Sequence, residues 1–349
     1  MSQLSAAALF SGRLPRSDFE ATRPLSNGRP EMVTFIVRRI VATIPVLLVV
    51  SIVVFMLVHL TPGDPARVIL GAEAPMDQVA GLREEMGLNQ PIFVQYWQWL
   101  THAVQGDLGA SVFMQQPVTQ VLAERIGPTA ALAIAAELII VLVAVPLGIA
   151  AARRPGGAMD RSVMVVALIG MGIPSFVLAI FLVLIFGVVL QVLPTAGWAE
   201  LSDGLGTYLS YLVLPAVSLA VVLSALVARM TRGSMMDVLA ENFVQLARSI
   251  GMGETRIVYR EVLRNASLPI ITVLGTTFGS LITGAVVTET VFNIPGIGQL
   301  VVDSIGRRDY PVIQAVVLLG ALLYVGLNFV IDLLYGFLDP RVRLNAGRL

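Results

Sequence analysis

The chain has 349 residues, 56% of them hydrophobic and only 13% charged, with a formal net charge of zero. Charged residues make up about 25% of an ordinary soluble domain, so this composition predicts a polytopic membrane protein. The neutral charge argues against a nucleic-acid-binding protein, which needs a basic surface to release counterions from phosphates. Cysteine is absent and all 23 basic residues are arginine. The chain therefore has no thiolate metal site, and it lacks the lysine with which a P-loop contacts ATP.

The chain begins with a polar segment, residues 1–32, that is rich in Ser, Arg, Pro and Gly. This composition predicts a disordered leader. Its apolar run, residues 6–10, is too short for the h-region of a cleaved signal peptide, which takes about 7–15 residues. The first transmembrane helix, residues 33–60, is therefore expected to remain as an uncleaved anchor.

Six apolar stretches are long enough to cross a hydrocarbon core of about 30 Å, which takes roughly 20 helical residues. They predict an all-α fold with spans at residues 35–60, 128–151, 162–190, 208–230, 268–290 and 312–338. The third stretch is long enough to tilt or to be broken at Gly172 and Pro174. Gly170 and Pro215 are further positions where a helix can bend.

A long loop, residues 61–127, follows the first span. Thr61 to Pro65 predict a rigid turn, and residues 76–86 and 91–104 predict two helices. Tyr96, Trp97 and Trp99 are rings of the type that lie at a membrane interface. Two interpretations stay open: a lid packed on the membrane surface, or part of a landing surface for an external partner.

Orientation follows from the arginines, which mark cytoplasmic segments. Eighteen of the 23 lie in residues 1–39, 153–161 and 229–265 and in the tail at residues 339–349. Both termini are therefore expected in the cytosol.

Residues 229–265 form a polar island with six arginines between two spans. The pattern predicts a helix over residues 241–250, a break at Gly251 and Gly253, and a second helix over residues 254–266. Arg256, Arg260 and Arg264 fall on one face of that second helix; the opposite face carries Ile257, Val258, Val262 and Leu263. The island is interpreted as a handle gripped from the cytosol, with an interfacial lipid anchor as the alternative.

Few ionisable groups fall within the spans, and each is a candidate for function. Glu137 is expected to form a buried hydrogen bond to another helix, with a role in a pathway as the alternative. Asp332 is expected to anchor the tail. Span five carries a small, polar face that predicts either a pathway wall or close helix packing; its members are Gly275, Thr276, Thr277, Gly279, Ser280, Thr283 and Gly284. The candidate pathway residues are Thr276, Ser280, Thr283 and Glu137. With two histidines and no cysteine, no metal site is predicted.

Several sequence motifs resemble the oligopeptide/dipeptide/nickel permease family, the membrane subunits of ABC importers. In the N-terminal part these are HLTPGDP (59–65), MGLNQPIFVQYWQWL (86–100) and GDLGASV (106–112). In the C-terminal part these are ETVFNIPGIGQL (289–300), RRDYPVIQA (307–315) and DLLYGFLDPRVR (332–343). Their order and separations are similar to those of the first permease subunit of that family, over nearly the whole chain after residue 32.

The resemblance implies a type I importer permease domain over residues 121–338, with a cytoplasmic coupling helix near residues 241–251. Only Ala247 and Gly251 match the letters of the general coupling motif, and Pro269 follows farther away than in sugar importers. The implied ATPase-docking residues are Glu241, Gln245, Leu246, Ala247, Arg248 and Gly251. Replacing Gly251 is expected to uncouple the protein rather than unfold it.

The same resemblance implies the partners: a second permease, two ATP-binding subunits that carry ATP and Mg²⁺, and an extracytoplasmic binding protein, all at the bacterial inner membrane. The chain itself is expected to bind no cofactor and to catalyse no reaction. Short peptides lead as substrates, before nickel chelates and glutathione-like compounds. An ion-coupled carrier complete in one chain and a membrane-embedded enzyme are the alternatives, but the paired carboxylates that the enzyme would need are missing.

Overall fold

The computed structural model describes residues 29–60, 64–71, 73–85 and 87–338. The last four residues of the predicted leader belong to the first helix; the rest of the leader, the turn residues 61–63 and the predicted tail lie outside the described residues. The α-helices are α1 (Arg29–Leu60), α2 (Pro65–Leu70), α3 (Met76–Glu85), α4 (Ile92–Val104), α5 (Val118–Arg153), α6 (Ala158–Gly172), α7 (Ser175–Leu182), α8 (Leu205–Leu239), α9 (Asn242–Ser249), α10 (Glu254–Arg256), α11 (Leu263–Phe292), α12 (Ile297–Arg307) and α13 (Tyr310–Leu338). A π-helical segment, Ile257–Val262, joins α10 and α11 into one continuous helix, and another, Val183–Val189, extends α7.

Five described helices are long and apolar enough to cross a membrane, and a bent pair makes the sixth candidate span. The pair consists of α6 and the helix from Ser175 to Val189, which meet at 99°. The break lies at Ile173 and Pro174, as predicted, because proline forces the preceding residue into an extended conformation. Pro215, by contrast, lies inside α8 without interrupting it. The fold class is thus the predicted all-α polytopic architecture.

Helices α5 and α8 pack along each other at the centre of the bundle, and α6, α7 and α11 pack around them. Small side chains make this close approach possible. A Cβ added to Gly148 on α5 would lie 2.7 Å from the carbonyl oxygen of Ala228 on α8 and 2.6 Å from Thr231. The main core accordingly contains many alanines, such as Ala136, Ala144 and Ala220. Helix α1 packs at the side of the bundle, against α13.

Two smaller apolar clusters close the two ends of the bundle. The α9-end cluster joins α9 to the ends of α5 and α8 and to the start of the α10–α11 helix. The α12-end cluster joins the first turns of α5 and α13 to α12. We refer to these two ends as the α9 end and the α12 end.

The segment after the first span is more helical than predicted. Helix α5 begins at Val118, ten residues before the predicted span, so the connecting loop ends well before residue 127. Helix α4 folds back onto α1: the hydroxyls of Tyr96 and Ser51 lie 2.8 Å apart, and Phe55 contacts the rings of Tyr96 and Trp99. This packing favours the interpretation of α4 as a lid on the membrane surface. The side chain of Trp97 remains 45% exposed.

Candidate functional site

Helix α9 is held between two tight turns. Helix α8 ends at Leu239, Glu241 occupies the N-cap position of α9, and the helix ends after Ser249. At its C-terminus the amide of Met252 donates to the carbonyl of Ala247, and the amide of Gly251 donates to the carbonyl of Arg248, both at 3.0 Å. These two bonds form a Schellman motif, whose left-handed position suits glycine. Gly251 has a φ of +81°, so the predicted glycine break is confirmed as a turn.

One face of α9 is buried against the bundle. Val244 is 0% exposed and Ala247 is 8% exposed. They pack in the α9-end cluster with Ile149, Ala152, Met235, Ile257, Val258, Val262, Ala266 and Ile270. The resemblance implied a docking contact for Ala247, but the structure packs its side chain into the helix bundle instead of presenting it on the surface. Because the cluster includes residues from α5, α8 and the α10–α11 helix, α9 is joined to three spans at once.

The neighbouring face of α9 exposes apolar side chains at helical spacing. Phe243 is 40% exposed, Leu246 is 64% exposed and Ile250 is 70% exposed. We call these three residues the exposed apolar stripe. Large apolar side chains on a helix that lies beyond the spans indicate a surface that another molecule covers. Leu246 was predicted as a docking residue from the motif, but Phe243 and Ile250 were missed. The i, i+3 and i+7 spacing of these three residues is visible in the sequence.

The remaining predicted docking residues are exposed polar groups. Glu241, Gln245 and Arg248 all lie on the surface. Arg248 forms a bidentate ion pair with Glu254 across the Gly251 turn, with Nε and Oε1 2.7 Å apart. The hydrogen bond from this guanidinium to Glu254 raises the pKa of Arg248. The pair ties the end of α9 to the first residue of the next helix.

The polar island is not one independent handle. Arg229 and Arg232 belong to α8, and the helix that starts at Glu254 continues without interruption into the fifth span. The predicted faces of that helix are confirmed: Arg256, Arg260 and Arg264 are exposed, whereas Ile257, Val258 and Val262 are buried. Within residues 229–265, α9 is the one helix that lies outside the candidate spans.

Two ion pairs fasten the helices at the α9 end, and neither was predicted. Asp160, near the start of α6, pairs with Arg232 of α8 and also accepts the amide of Gly156 at 2.8 Å. Asp332 on α13 pairs with Arg39 on α1. Asp332 was expected to anchor the tail, which lies outside the described residues; among the described residues its carboxylate pairs with the first span.

The candidate pathway residues divide between two faces of the bundle. Thr276, Ser280 and Thr283 form an exposed polar row on α11. Glu137, on α5, does not belong to this row. Its carboxyl group forms a hydrogen bond with Thr277 of α11, which is 1% exposed. Its Oε2 atom is buried and has no hydrogen-bond partner among the described residues. The geometry favours the interhelical role for Glu137 over the pathway role.

The glycines of α11 serve close packing. A Cβ at Gly275 would collide with Ile331 of α13, and one at Gly279 would meet Tyr324 and Leu327 of the same helix at 3.5–3.6 Å. Gly275 and Gly279 therefore face α13, whereas Thr276, Ser280 and Thr283 are exposed. The packing interpretation holds for the glycine side of the helix, and the pathway interpretation stays a prediction for the hydroxyl side.

At the α12 end, Glu289 joins three elements. Its side chain is 0% exposed. Thr129 of α5 donates to its Oε1 at 2.6 Å, and the amide of Gln299, in the first turn of α12, donates to Oε2 at 3.0 Å. The amide of Gly298 bonds the same carboxylate. A carboxylate at a helix N-terminus satisfies amides that have no partner within the helix.

The glycines of the motif around Glu289 leave room for this carboxylate. A Cβ on Gly296 would collide with the Glu289 carboxyl group, and one on Gly298 would lie 2.9 Å from Oε2. The sequence shows the motif but not its partner Thr129, 160 residues earlier.

A second carboxylate at this end joins two more of the motifs. Asp309 is 2% exposed and accepts the hydroxyl of Ser111 at 2.5 Å and the amides of Val112 and Phe113 at 3.3 Å. The guanidinium of Arg307 lies 3.5 Å from the centroid of the Phe113 ring. These contacts join two motifs that are far apart in the chain: GDLGASV, between α4 and α5, and RRDYP, where α12 ends and α13 begins.

Comparisons with known proteins agree with this architecture. Residues 144–344 match the family described as binding-protein-dependent transport system inner membrane component, and residues 32–133 match the N-terminal region of such membrane components. A probable peptide ABC transporter permease, y4tP of Sinorhizobium fredii, is 43% identical over 89% of this chain and 100% of its own length. The glutathione transport permease GsiC of Salmonella typhimurium is 42% identical over 89% of this chain and 99% of its own.

A solved structure supports the fold. The inward-facing MetNI methionine ABC transporter aligns with a TM-score of 0.53 and 19% identity, covering 63% of this chain and 97% of the other. Permeases of this kind are non-catalytic inner-membrane proteins that work in complexes with other ABC subunits. The chain therefore belongs to the family of binding-protein-dependent transport system inner membrane components, as a permease subunit of an ABC importer.

Proposed function

We propose that this permease forms part of the passage through which an ATP-driven importer moves di- or oligopeptides into the cell by alternating access. The printed names of two relatives support the substrate class, since one is called a probable peptide permease and the other transports glutathione, itself a tripeptide. The exposed row of Thr276, Ser280 and Thr283 is the proposed wall of the passage on this chain.

The observation that carries the mechanism is the exposed apolar stripe on a firmly held α9. An ATP-binding subunit would bury Phe243, Leu246 and Ile250 in a cleft and move when it binds nucleotide. Apolar anchors buried at the centre of an interface supply most of its binding free energy. Displacement of α9 would pass through Val244 and Ala247 to the ends of α5, α8 and the α10–α11 helix, because these elements share one close-packed cluster.

The proposed assembly contains a second, homologous permease, two ATP-binding subunits that hold ATP and Mg²⁺, and an extracytoplasmic binding protein. The distribution of arginines supports an orientation with the α9 end and both termini in the cytosol. The α12 end then faces outward, where α2 to α4 and α12 would meet the binding protein.

A cysteine crosslink tests the proposal against a lipid anchor at the same position. In the complete complex, Leu246→Cys is expected to crosslink to an ATP-binding subunit, with a yield that changes when ATP is bound. A lipid anchor would instead be labelled from the bilayer by a photoreactive phospholipid and give no protein adduct. Peptide transport by the purified chain alone, without ATP, would also reject the mechanism.

Replacing Gly251 with alanine is expected to uncouple ATP hydrolysis from transport while the complex still assembles. An added Cβ would meet nothing within 4 Å, but the φ of +81° costs an L-residue about 1–2 kcal/mol. A strain of that size at the turn corresponds to roughly tenfold slower transport. Peptide uptake and ATPase activity in proteoliposomes measure the two quantities separately.

Gly253→Ala is the matched control. Gly253 lies two residues away, also has no atom within 4 Å of an added Cβ, and has an ordinary φ of −65°. It is expected to leave transport unchanged. Equal effects of the two substitutions would show that the left-handed turn is unimportant.

A further inference from the structure

A cavity of about 650 Å³ lies at the α9 end, beside the Gly251 turn. We call it the basic cavity. It is lined by Ala152, Arg153, Arg154, Pro155, Met236, Leu239, Ala240, Arg248, Glu254 and Val258. Arg153 is the last residue of α5, Leu239 is the last of α8 and Glu254 begins the fifth span. The cavity therefore lies where three candidate spans reach their polar ends.

The charges of the basic cavity are unbalanced. Its single carboxylate, Glu254, accepts from Nε and Nη2 of Arg248. Arg153, whose charge also attracts this carboxylate, and Arg154 are exposed and form no ion pair with any residue that the structure describes. Three arginines against one carboxylate leave a net positive charge that suits an anion, and arginine suits phosphate because it can donate two parallel hydrogen bonds.

The wall that faces the bundle is apolar. It is formed by Met236 and Leu239 of α8, Ala152 of α5 and Val258 of the π-helical segment. A site that combines two arginines outside any ion pair with an apolar wall fits an amphiphile better than a free anion. Its volume is within the range of about 300–1,000 Å³ that small-molecule sites occupy.

We propose that the basic cavity binds the headgroup of an anionic phospholipid, with the phosphate between Arg153 and Arg154 and the first carbons of an acyl chain against Met236 and Leu239. Basic pockets between membrane helices are known to take headgroups of this charge. The exposed apolar stripe does not line the cavity, so a lipid there leaves the stripe free.

The position of the cavity gives the lipid a further effect, which rests on the proposed function. Arg248 and Glu254 lie on either side of Gly251, and both line the cavity. A bound headgroup would brace the turn through which α9 is joined to the fifth span. Coupling between ATP hydrolysis and transport should then depend on anionic lipid, whereas docking at Leu246 should not.

The test measures lipid bound to the purified full-length chain by native mass spectrometry, with phosphatidylglycerol and phosphatidylcholine as probes. Phosphatidylglycerol is expected to bind, and the Arg153→Gln/Arg154→Gln variant should bind it roughly tenfold more weakly, because it loses two charged donors. Arg256→Gln/Arg260→Gln removes the same charge from an exposed face at the same end and should bind like the unaltered chain. Glu254→Gln should bind more tightly, since it frees Arg248.

Other outcomes overturn the proposal. Equal affinity for the two lipids, or equal loss in both arginine variants, would mean that no specific headgroup site exists. Displacement of the lipid by inorganic phosphate alone would identify a free-anion site. If the Arg153→Gln/Arg154→Gln variant kept its lipid but lost the Leu246→Cys crosslink, the arginines would belong to the ATPase contact. Absence of that crosslink in the Leu246→Cys protein with Arg153 and Arg154 intact would instead reject the proposed function and leave the lipid site standing.

Discussion

Replacing Leu246 with aspartate is expected to abolish ATP-driven uptake while the chain still folds and inserts. Leu246 is 64% exposed, so its loss should change the stability of the permease by no more than about 0.5 kcal/mol. In the complex, loss of an apolar anchor at the centre of an interface costs about 2 kcal/mol or more. A cost of this size weakens association by roughly 30-fold. Co-purification of ATP-binding subunits and peptide uptake by vesicles measure the two effects.

The chain offers a close control for this substitution. Leu201 is 66% exposed and lies in the turn before α8, at the opposite end of the bundle. Leu201→Asp introduces the same charge on an equally exposed leucine and should leave the ATP-binding subunits bound. If both variants bound these subunits like the unaltered chain, α9 would not be the docking element.

Glu289→Ala is expected to destabilise the folded permease by roughly 3 kcal/mol or more. The substitution leaves Thr129 and the first amides of α12 without their acceptor in a fully buried site, and each such loss costs about 1–3 kcal/mol. It also removes a negative charge from the N-terminus of α12. The measurement is the thermal unfolding midpoint of the purified chain in detergent, which should fall by several degrees.

Two further variants isolate the role of the carboxylate at position 289. Glu124 is exposed and lies in α5 at the same end, so Glu124→Ala should leave the midpoint unchanged. Glu289→Gln keeps the size of the side chain but turns an N–H group toward donors, and it should recover only part of the loss. Full stability of Glu289→Gln would show that the negative charge is unimportant.

The spans were predictable because apolar length alone decides which segments enter a bilayer. The break at Pro174 was predictable because it depends on local backbone chemistry. The ends of the helices were not predictable: α8 continues nine residues beyond the predicted span and the fifth span begins at Glu254. Hydropathy marks the apolar part of a helix and gives no signal for how far the same helix continues beyond it.

The orientation of α9 was predicted only in part. The motif located the helix and its glycine turn, but the inward direction of Ala247 depends on Met235 and Ile270, which belong to other helices. Periodicity shows that a helix has an apolar face; it does not show which of two apolar faces is covered. The same limit applies to Asp309, whose partner Ser111 lies 198 residues earlier.

Hydroxyl groups along the open side of α11 are already engaged by their own helix. Thr276 donates to the carbonyl of Val273 at 2.8 Å, and Ser280 donates to that of Thr276 at 3.0 Å. A hydroxyl has a single proton to give, so in the proposed passage a passing solute would meet only lone pairs on these two side chains. Such a lining would bind no cargo strongly and would distinguish little of its chemistry. Selection would then fall to the proposed binding protein, and one permissive passage could serve cargoes whose side chains differ.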